Sequence, residues 1–259
     1  MNLKNIIQTT ALGLLLAVPM PSALAGSITA KGSDTMVILA QKWAEVYMGK
    51  TPGTKIQVTG GGSGTGFAAL QNRTTDLANA SRKIKSAEIA ECIKSFGKRP
   101  TEYKVALDGL SIYVSAENTI QELDLEQLEK IFTGKIKNWK AVGGPDAPIT
   151  VYSRENSSGT YEFFKEHVLK GADFAASAQT MPGTAALLQA VAKDKNGIGY
   201  GGAAYGAGAK HLKVKATPES PAIDKGETAA YINWLRSDEG QKLVKEIGYY
   251  PLPETLRNK

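Results

Sequence analysis

The chain has 259 residues, 42% of them hydrophobic, enough to bury the core of one large domain or two small ones. Its 31 Lys and Arg exceed its 25 Asp and Glu by six charges, but the bases are scattered and no basic run is interleaved with aromatics, which argues against a nucleic-acid partner. The single cysteine, Cys92, excludes an internal disulfide, and its helical setting over 87–96 marks it as a buried, inert thiol.

Residues 1–25 read as a signal peptide. Lys4 precedes an apolar stretch from Ile6 to Val18, and Ala23-Leu24-Ala25 offers the small-x-small site after which a signal peptidase cuts. Cleavage removes one Lys and no acid, so the net charge falls from +6 to +5. No other window is apolar over the roughly 20 residues that a spanning helix needs. No cysteine stands at the start of the mature chain to carry lipid, so the expected location is the periplasm, or the outside of the cell.

The mature chain alternates strands and helices. Ser27 to Lys31 reads as a strand that ends in Gly32-Ser33-Asp34-Thr35, and Met36, Leu39, Ala40, Trp43 and Tyr47 mark the buried stripe of the helix that follows. Ile56 to Thr59 is a second strand, running into the glycine-rich loop 60–66 and a helix bearing Phe67 and Leu70. No Lys follows those glycines as a nucleotide P-loop demands, and the spacing does not fit a dinucleotide fingerprint. What remains is a loop whose backbone amides approach an anion closely. Asp76 to Ala80 forms a third strand that delivers Ser81 and Arg82, before a helix over 86–96. Residues 103–107 and 110–115, broken by Asp108-Gly109, are expected to make one long strand crossing between lobes. Asp124 opens a helix carrying Leu125, Leu128, Ile131 and Phe132, which stops at Gly134.

The centre of the pattern is 149–164. A strand from Ile149 to Ser153 delivers Arg154 at its carboxyl end, and Ser158, Gly159 and Thr160 then occupy the start of a helix running to about 169. Unpaired N–H groups and the positive end of the helix dipole lie there, beside two hydroxyls and a guanidinium fork, a set suited to a tetrahedral oxyanion. Taken alone, such a turn more often means a Ser/Thr N-cap with a surface arginine. The strand–small polar turn–helix device recurs at 32–35 and 60–66, and that recurrence favours the anion. A helix over 185–192, a buried strand over 197–201, a strand over 211–215, helices over 228–236 and 239–247, and a tail from 248 to 253 complete the chain. The whole reads as an α/β protein with mainly parallel sheets and its ligand at strand carboxyl ends.

Several segments resemble the substrate-binding proteins of phosphate ABC transporters, the PstS-like family. The most specific runs from Ile131 to Trp139 and on through Gly143-Gly144-Pro145-Asp146 to Arg154 and Thr160. Gly60 to Gly66, Ala80-Ser81-Arg82 and the ending Gly248-Tyr249-Tyr250-Pro251-Leu252-Pro253 match as well. The resemblance implies a two-lobed periplasmic-binding-protein fold of the second type, with lobe 1 from 26–107 plus 203–259 and lobe 2 from 108–202. It further implies inorganic phosphate enclosed between the lobes and delivery to a membrane permease. The candidate ligands supply amide, hydroxyl and guanidinium donors that leave no role for a metal or other cofactor, and a monomer is expected. The implied phosphate-binding residues are Ser33, Asp34, Thr35, Ser63, Ser81, Arg154, Ser158, Gly159 and Thr160, and Arg82, delivered beside Ser81 by the third strand, is a further candidate in a direct or a supporting role.

Where many relatives carry an aspartate at the end of the third strand, this chain has Ser81. Asp34 is thus the only acid among the candidate phosphate-binding residues, and it is expected to accept the proton that phosphate keeps and sulfate lacks, unless it only caps the next helix. The competing functions are binding of another oxyanion such as sulfate or molybdate, or a secreted adhesive or signalling role on the same fold. An enzyme is disfavoured, because His167 and His211 are the only imidazoles and neither lies beside the glycine-rich turns; a Gly-x-Ser-x-Gly elbow and a metal-spaced Cys/His cluster are also missing.

Overall fold

The computed structural model describes residues 27–205, 208–212, 234–249 and 251–254. The signal peptide expected over 1–25 and most of the helix expected over 228–236 lie outside the described residues. Among the described residues, no helix is long and apolar enough to cross a membrane.

The first unit is built on a parallel three-stranded sheet in which β1 (Ser27–Gly32) is flanked by β2 (Lys55–Thr59) and β3 (Leu77–Asn79). Ile28, Ala30 and Gly32 alternate toward the interior, the period of a half-buried strand. Helix α1 (Val37–Lys50) crosses from β1 to β2 and buries Leu39, Ala40, Trp43 and Ala44, the three-and-four spacing of one helical face. Helix α2 (Ser63–Gln71) crosses from β2 to β3, and α3 (Ser86–Phe96) packs beside it. The C-terminal helix, Asp238–Glu246, packs on α1; Val244 and Tyr249 enter the same core, and Trp43 Nε1 donates to Gly240 O at 3.0 Å.

The second unit holds β4 (Leu110–Val114), α4 (Leu125–Phe132), β5 (Thr150–Arg154), α5 (Gly159–His167), β6 (Gln179–Met181), α6 (Gly183–Lys193), β7 (Gly197–Gly202) and β8 (Lys210–Leu212), its sheet ordered β6-β5-β7-β4-β8. Asp124 caps α4 reciprocally with Gln127, as the turn residues lead one to expect. Every residue of β7 is buried, and its glycines let α6 lie directly on it: a Cβ at Gly199 would fall 2.6 Å from Leu187 Cδ2. The core below the candidate turn is aromatic, with Phe164 of α5 stacked on Tyr200 at 4.2 Å and edge-on to Phe132 at 4.6 Å.

Three expectations need correction. The long crossing strand over 103–115 is a strand only from Leu110; residues 103–106 run without ladder pairing. The sheet of the second unit is mixed, because β4 is antiparallel to both neighbours while β5 pairs in parallel with β6 and β7. The strand near 211 does not return to the first unit. It pairs Leu212 with Ile112 and His211 with Tyr113, and Leu212 is buried in the second core, so burial of that side chain holds the chain on the second sheet through 212.

Phe164→Ala should lower unfolding stability by about 3–5 kcal/mol, the usual consequence of emptying an aromatic core position. Urea denaturation followed by circular dichroism measures this, and a loss below about 1 kcal/mol would contradict the aromatic anchor of α5.

Candidate functional site

The turns after β1, β2, β3 and β5 face one another at the carboxyl ends of their strands. β1 ends hard against β3: Ser33 N donates to Asn79 O at 2.8 Å, and Gly32 has φ of +141° with its missing Cβ only 2.1 Å from that same oxygen. Only glycine allows the approach. Ser33 then donates through Oγ to Ser81 Oγ at 3.0 Å. Ser63, the first residue of α2, is wholly buried and accepts from Ser81 N at 3.1 Å.

The second unit meets this group from the start of α5. Thr160 Oγ1 lies 2.6 Å from Thr35 Oγ1 and 3.4 Å from Ser81 Oγ. Gly159 stands where a Cβ would come within 2.4 Å of Ser63 Oγ and 2.8 Å of Ser81 Oγ. Ser158 caps α5 by accepting from Tyr161 N at 3.2 Å. Backbone joins backbone across the same line, Gly64 N donating to Ser157 O at 2.8 Å. Five hydroxyls, Ser33, Thr35, Ser63, Ser81 and Thr160, thus gather with the positive ends of α2 and α5, and each hydroxyl rotates to donate or accept as its partner requires.

Arg154, at the end of β5, is 1% exposed. Its Nη2 donates to Asp34 Oδ2 at 2.9 Å, its Nη1 to Thr184 Oγ1 at 2.8 Å, and its Nε faces Glu155 Oε2 at 3.3 Å. Asp34 therefore spans the units. Its other oxygen accepts from Gly61 N at 2.9 Å, and its backbone carbonyl accepts from the Tyr205 hydroxyl. The helix-cap alternative fails, since the short helix Asp34–Met36 has Ser33 at its N-cap position with no side-chain cap bond.

Nine of the ten residues named from sequence come together in this way. Arg82 differs: its side chain borders the cluster, with Cγ 3.1 Å from the position of a Cβ on Gly159, yet its guanidinium turns to carboxylates. Nη1 and Nη2 donate to Glu88 at 2.8 and 2.6 Å, Nη1 also to Lys83 O at 2.9 Å, and Nε reaches Glu162 at 3.0 Å. All of these partners lie outside the ten, whereas Arg154 pairs with Asp34, one of them. Thr184 and Glu155 were missed. Thr184 follows Pro182-Gly183 after β6, a further strand–turn–helix device, and it went unseen because β6 has only three residues and two of them are exposed. The two histidines stay away: His167 is exposed and meets Phe163 O, and His211 packs edge-on to Tyr113.

Residues 17–257 match a family model described as PBP superfamily domain. The chain is 34% identical over 247 residues to the phosphate-binding protein PstS of Pseudomonas aeruginosa, covering 91% of this chain and 72% of that one. It is 32% identical over 251 residues to PstS of Bacillus subtilis, covering 88% and 82%. Among solved structures, a putative phosphate ABC transporter substrate-binding protein with bound phosphate from Clostridium perfringens superposes with a TM-score of 0.77 at 28% identity, over 88% of this chain and 100% of that one. An ABC-type phosphate transport receptor from Vibrio cholerae superposes at 0.66, also with 28% identity, over 87% and 100%.

Proposed function

The chain belongs to the PBP superfamily and, within it, to the PstS-like phosphate-binding proteins, and from that premise we propose that it binds inorganic phosphate between its two lobes and hands it to the permease of an ABC transporter. The observation that carries the reading is the convergence of five hydroxyls, two helix N-termini and the buried Arg154 from both sheets. Helix N-termini and a guanidinium fork supply donors matched to a tetrahedral anion, and hydroxyls adapt to its protonation state. The ligands in this reading are Ser33, Thr35, Ser63, Ser81, Arg154, Ser158, Gly159 and Thr160, with Asp34 set against the same anion. The protein works outside the cytoplasm, with residues 1–25 removed on export, and it binds its ligand without chemically transforming it.

Asp34 has two parts in this scheme. It holds the Arg154 fork in place, and its remaining lone pairs accept the proton that phosphate retains at neutral pH, whereas a fully deprotonated sulfate meets only repulsion.

Arg154→Ala should weaken phosphate binding by about two to three decades, since the loss removes a charge-assisted contact to a buried anion and leaves Asp34 without its cation, a cost of roughly 3–5 kcal/mol. Calorimetry with phosphate, sulfate and molybdate provides the measure. Wild-type protein that takes up sulfate or molybdate but no phosphate would overturn the ligand, and a loss under about tenfold in the variant would remove Arg154 from the centre of the site.

Asp34→Asn keeps an oxygen for Gly61 N while deleting the charge. Phosphate should bind more weakly and sulfate measurably better, so the ratio of the two affinities falls. An unchanged ratio in a folded variant would confine Asp34 to holding Arg154.

A further inference from the structure

Glu162 lies one turn into α5, in the second lobe, yet both its ion-pair partners come from the first: Arg82 Nε at 3.0 Å and Lys85 Nζ at 2.7 Å. Arg82 follows β3, and Lys85 is the N-cap of α3. The receiving side is preassembled. Glu88 grips Arg82 through both oxygens, accepts from Lys85 N at 2.8 Å and thereby fixes the start of α3, while the Arg82 guanidinium lies 4.7 Å from the centre of the Phe67 ring. Burial alone would push the Glu88 carboxyl up, but the bonds from Arg82 and the Lys85 amide outweigh it and hold it below the usual range. Arg82 and Glu88 balance each other within the first lobe, which leaves Lys85 as the matching charge for Glu162.

A carboxylate in the first turn of the helix whose start faces the anion is unfavourable toward that anion unless cations offset it. The offsetting cations belong to the opposite lobe, so the balance exists only while the lobes are together. We propose that Glu162 is a positioning residue that latches the lobes through Arg82 and Lys85 and thereby sets the rate at which phosphate leaves. The proposal rests on the reading of the cleft as a phosphate site. It also gives Arg82 a task other than direct contact with the anion.

Three roles for Glu162 predict different results for Glu162→Gln. If the carboxylate acts on the anion only through repulsion, its removal tightens binding. If it merely supports the start of α5 through the helix dipole, thermal stability drops and release is unchanged. As a latch, its removal speeds release of inorganic phosphate roughly three- to tenfold, within the range of a partly exposed ion-pair network, while association changes little. Release is followed on the full mature chain by loading radiolabelled phosphate, chasing with unlabelled phosphate and filtering at intervals. Lys85→Met should show part of the same acceleration, and the double variant should release no faster than Glu162→Gln combined with the residual Arg82 contact allows, a coupled rather than additive result. Raised ionic strength should speed release from wild type more than from Glu162→Gln. Unchanged release, tighter binding, or strictly additive effects in the cycle would overturn the latch while leaving the phosphate site intact. Wild-type protein that retains no phosphate would overturn both.

Discussion

A guanidinium that is almost completely shielded from water is tolerable only if its charge and its donors are matched on the spot. Arg154 meets that condition with groups from both units: Asp34 from the turn after β1, and Thr184 and Glu155 from its own side. The turn after β1 must therefore approach the end of β5, and the surroundings are cut to permit it. A Cβ at Gly60 would stand 2.3 Å from Asp34 Oδ1, and one at Gly62, whose φ is +90°, would stand 2.6 Å from Ser157 O. The glycine-rich loop is thus a spacing device. It lets the backbone of the first lobe touch the backbone of the second, so that Gly64 donates to Ser157 beside the hydroxyl cluster.

How far the sequence reveals this depends on the range of the forces involved. The periodic segments were legible: the alternation in β1, the buried stripe of α1 and the reciprocal cap of α4 are dictated by neighbours a few residues away, and they lie where the pattern puts them. The recurring strand–turn–helix device likewise marks Ser33, Ser63 and Thr160 at helix starts, since the geometry of a helix start is local, and these hydroxyls gather in the structure. Long-range choices were not legible. Nothing within 210–212 says whether that strand joins the first sheet or lies against β4; the decision belongs to Leu212 packing with Ile112 and its neighbours. Arg82 follows Ser81 in the chain, but the direction of its guanidinium is set by Glu88 and Glu162, which lie six and eighty positions away. Thr184 escaped notice because three-residue β6 is too short for a period to be read.

The two kinds of contact between the lobes divide the work. Near the centre, hydroxyls lie 2.6 to 3.4 Å from one another, the donor set that the proposed oxyanion would meet. At the margin, charged side chains bring lobe against lobe with little demand on geometry, because Glu162 serves Arg82 and Lys85 at once. On the proposed reading, short-range donors would confer selectivity and longer-range charge would confer hold, and separating the two would allow one to change without the other. The aromatic stack of Phe164, Tyr200 and Phe132 keeps α5 fixed beneath both.

On the proposed reading, an anion held by Arg154 and Thr160 on one side and by Ser33, Ser63 and Ser81 on the other would be a bond between the lobes, and its arrival would shift the population toward the closed form. Small-angle X-ray scattering of the mature protein tests this most directly. Saturating phosphate should reduce the radius of gyration relative to phosphate-free protein, and sulfate at the same concentration should reduce it less. A radius that does not change on saturation with phosphate would contradict an anion shared between the two lobes.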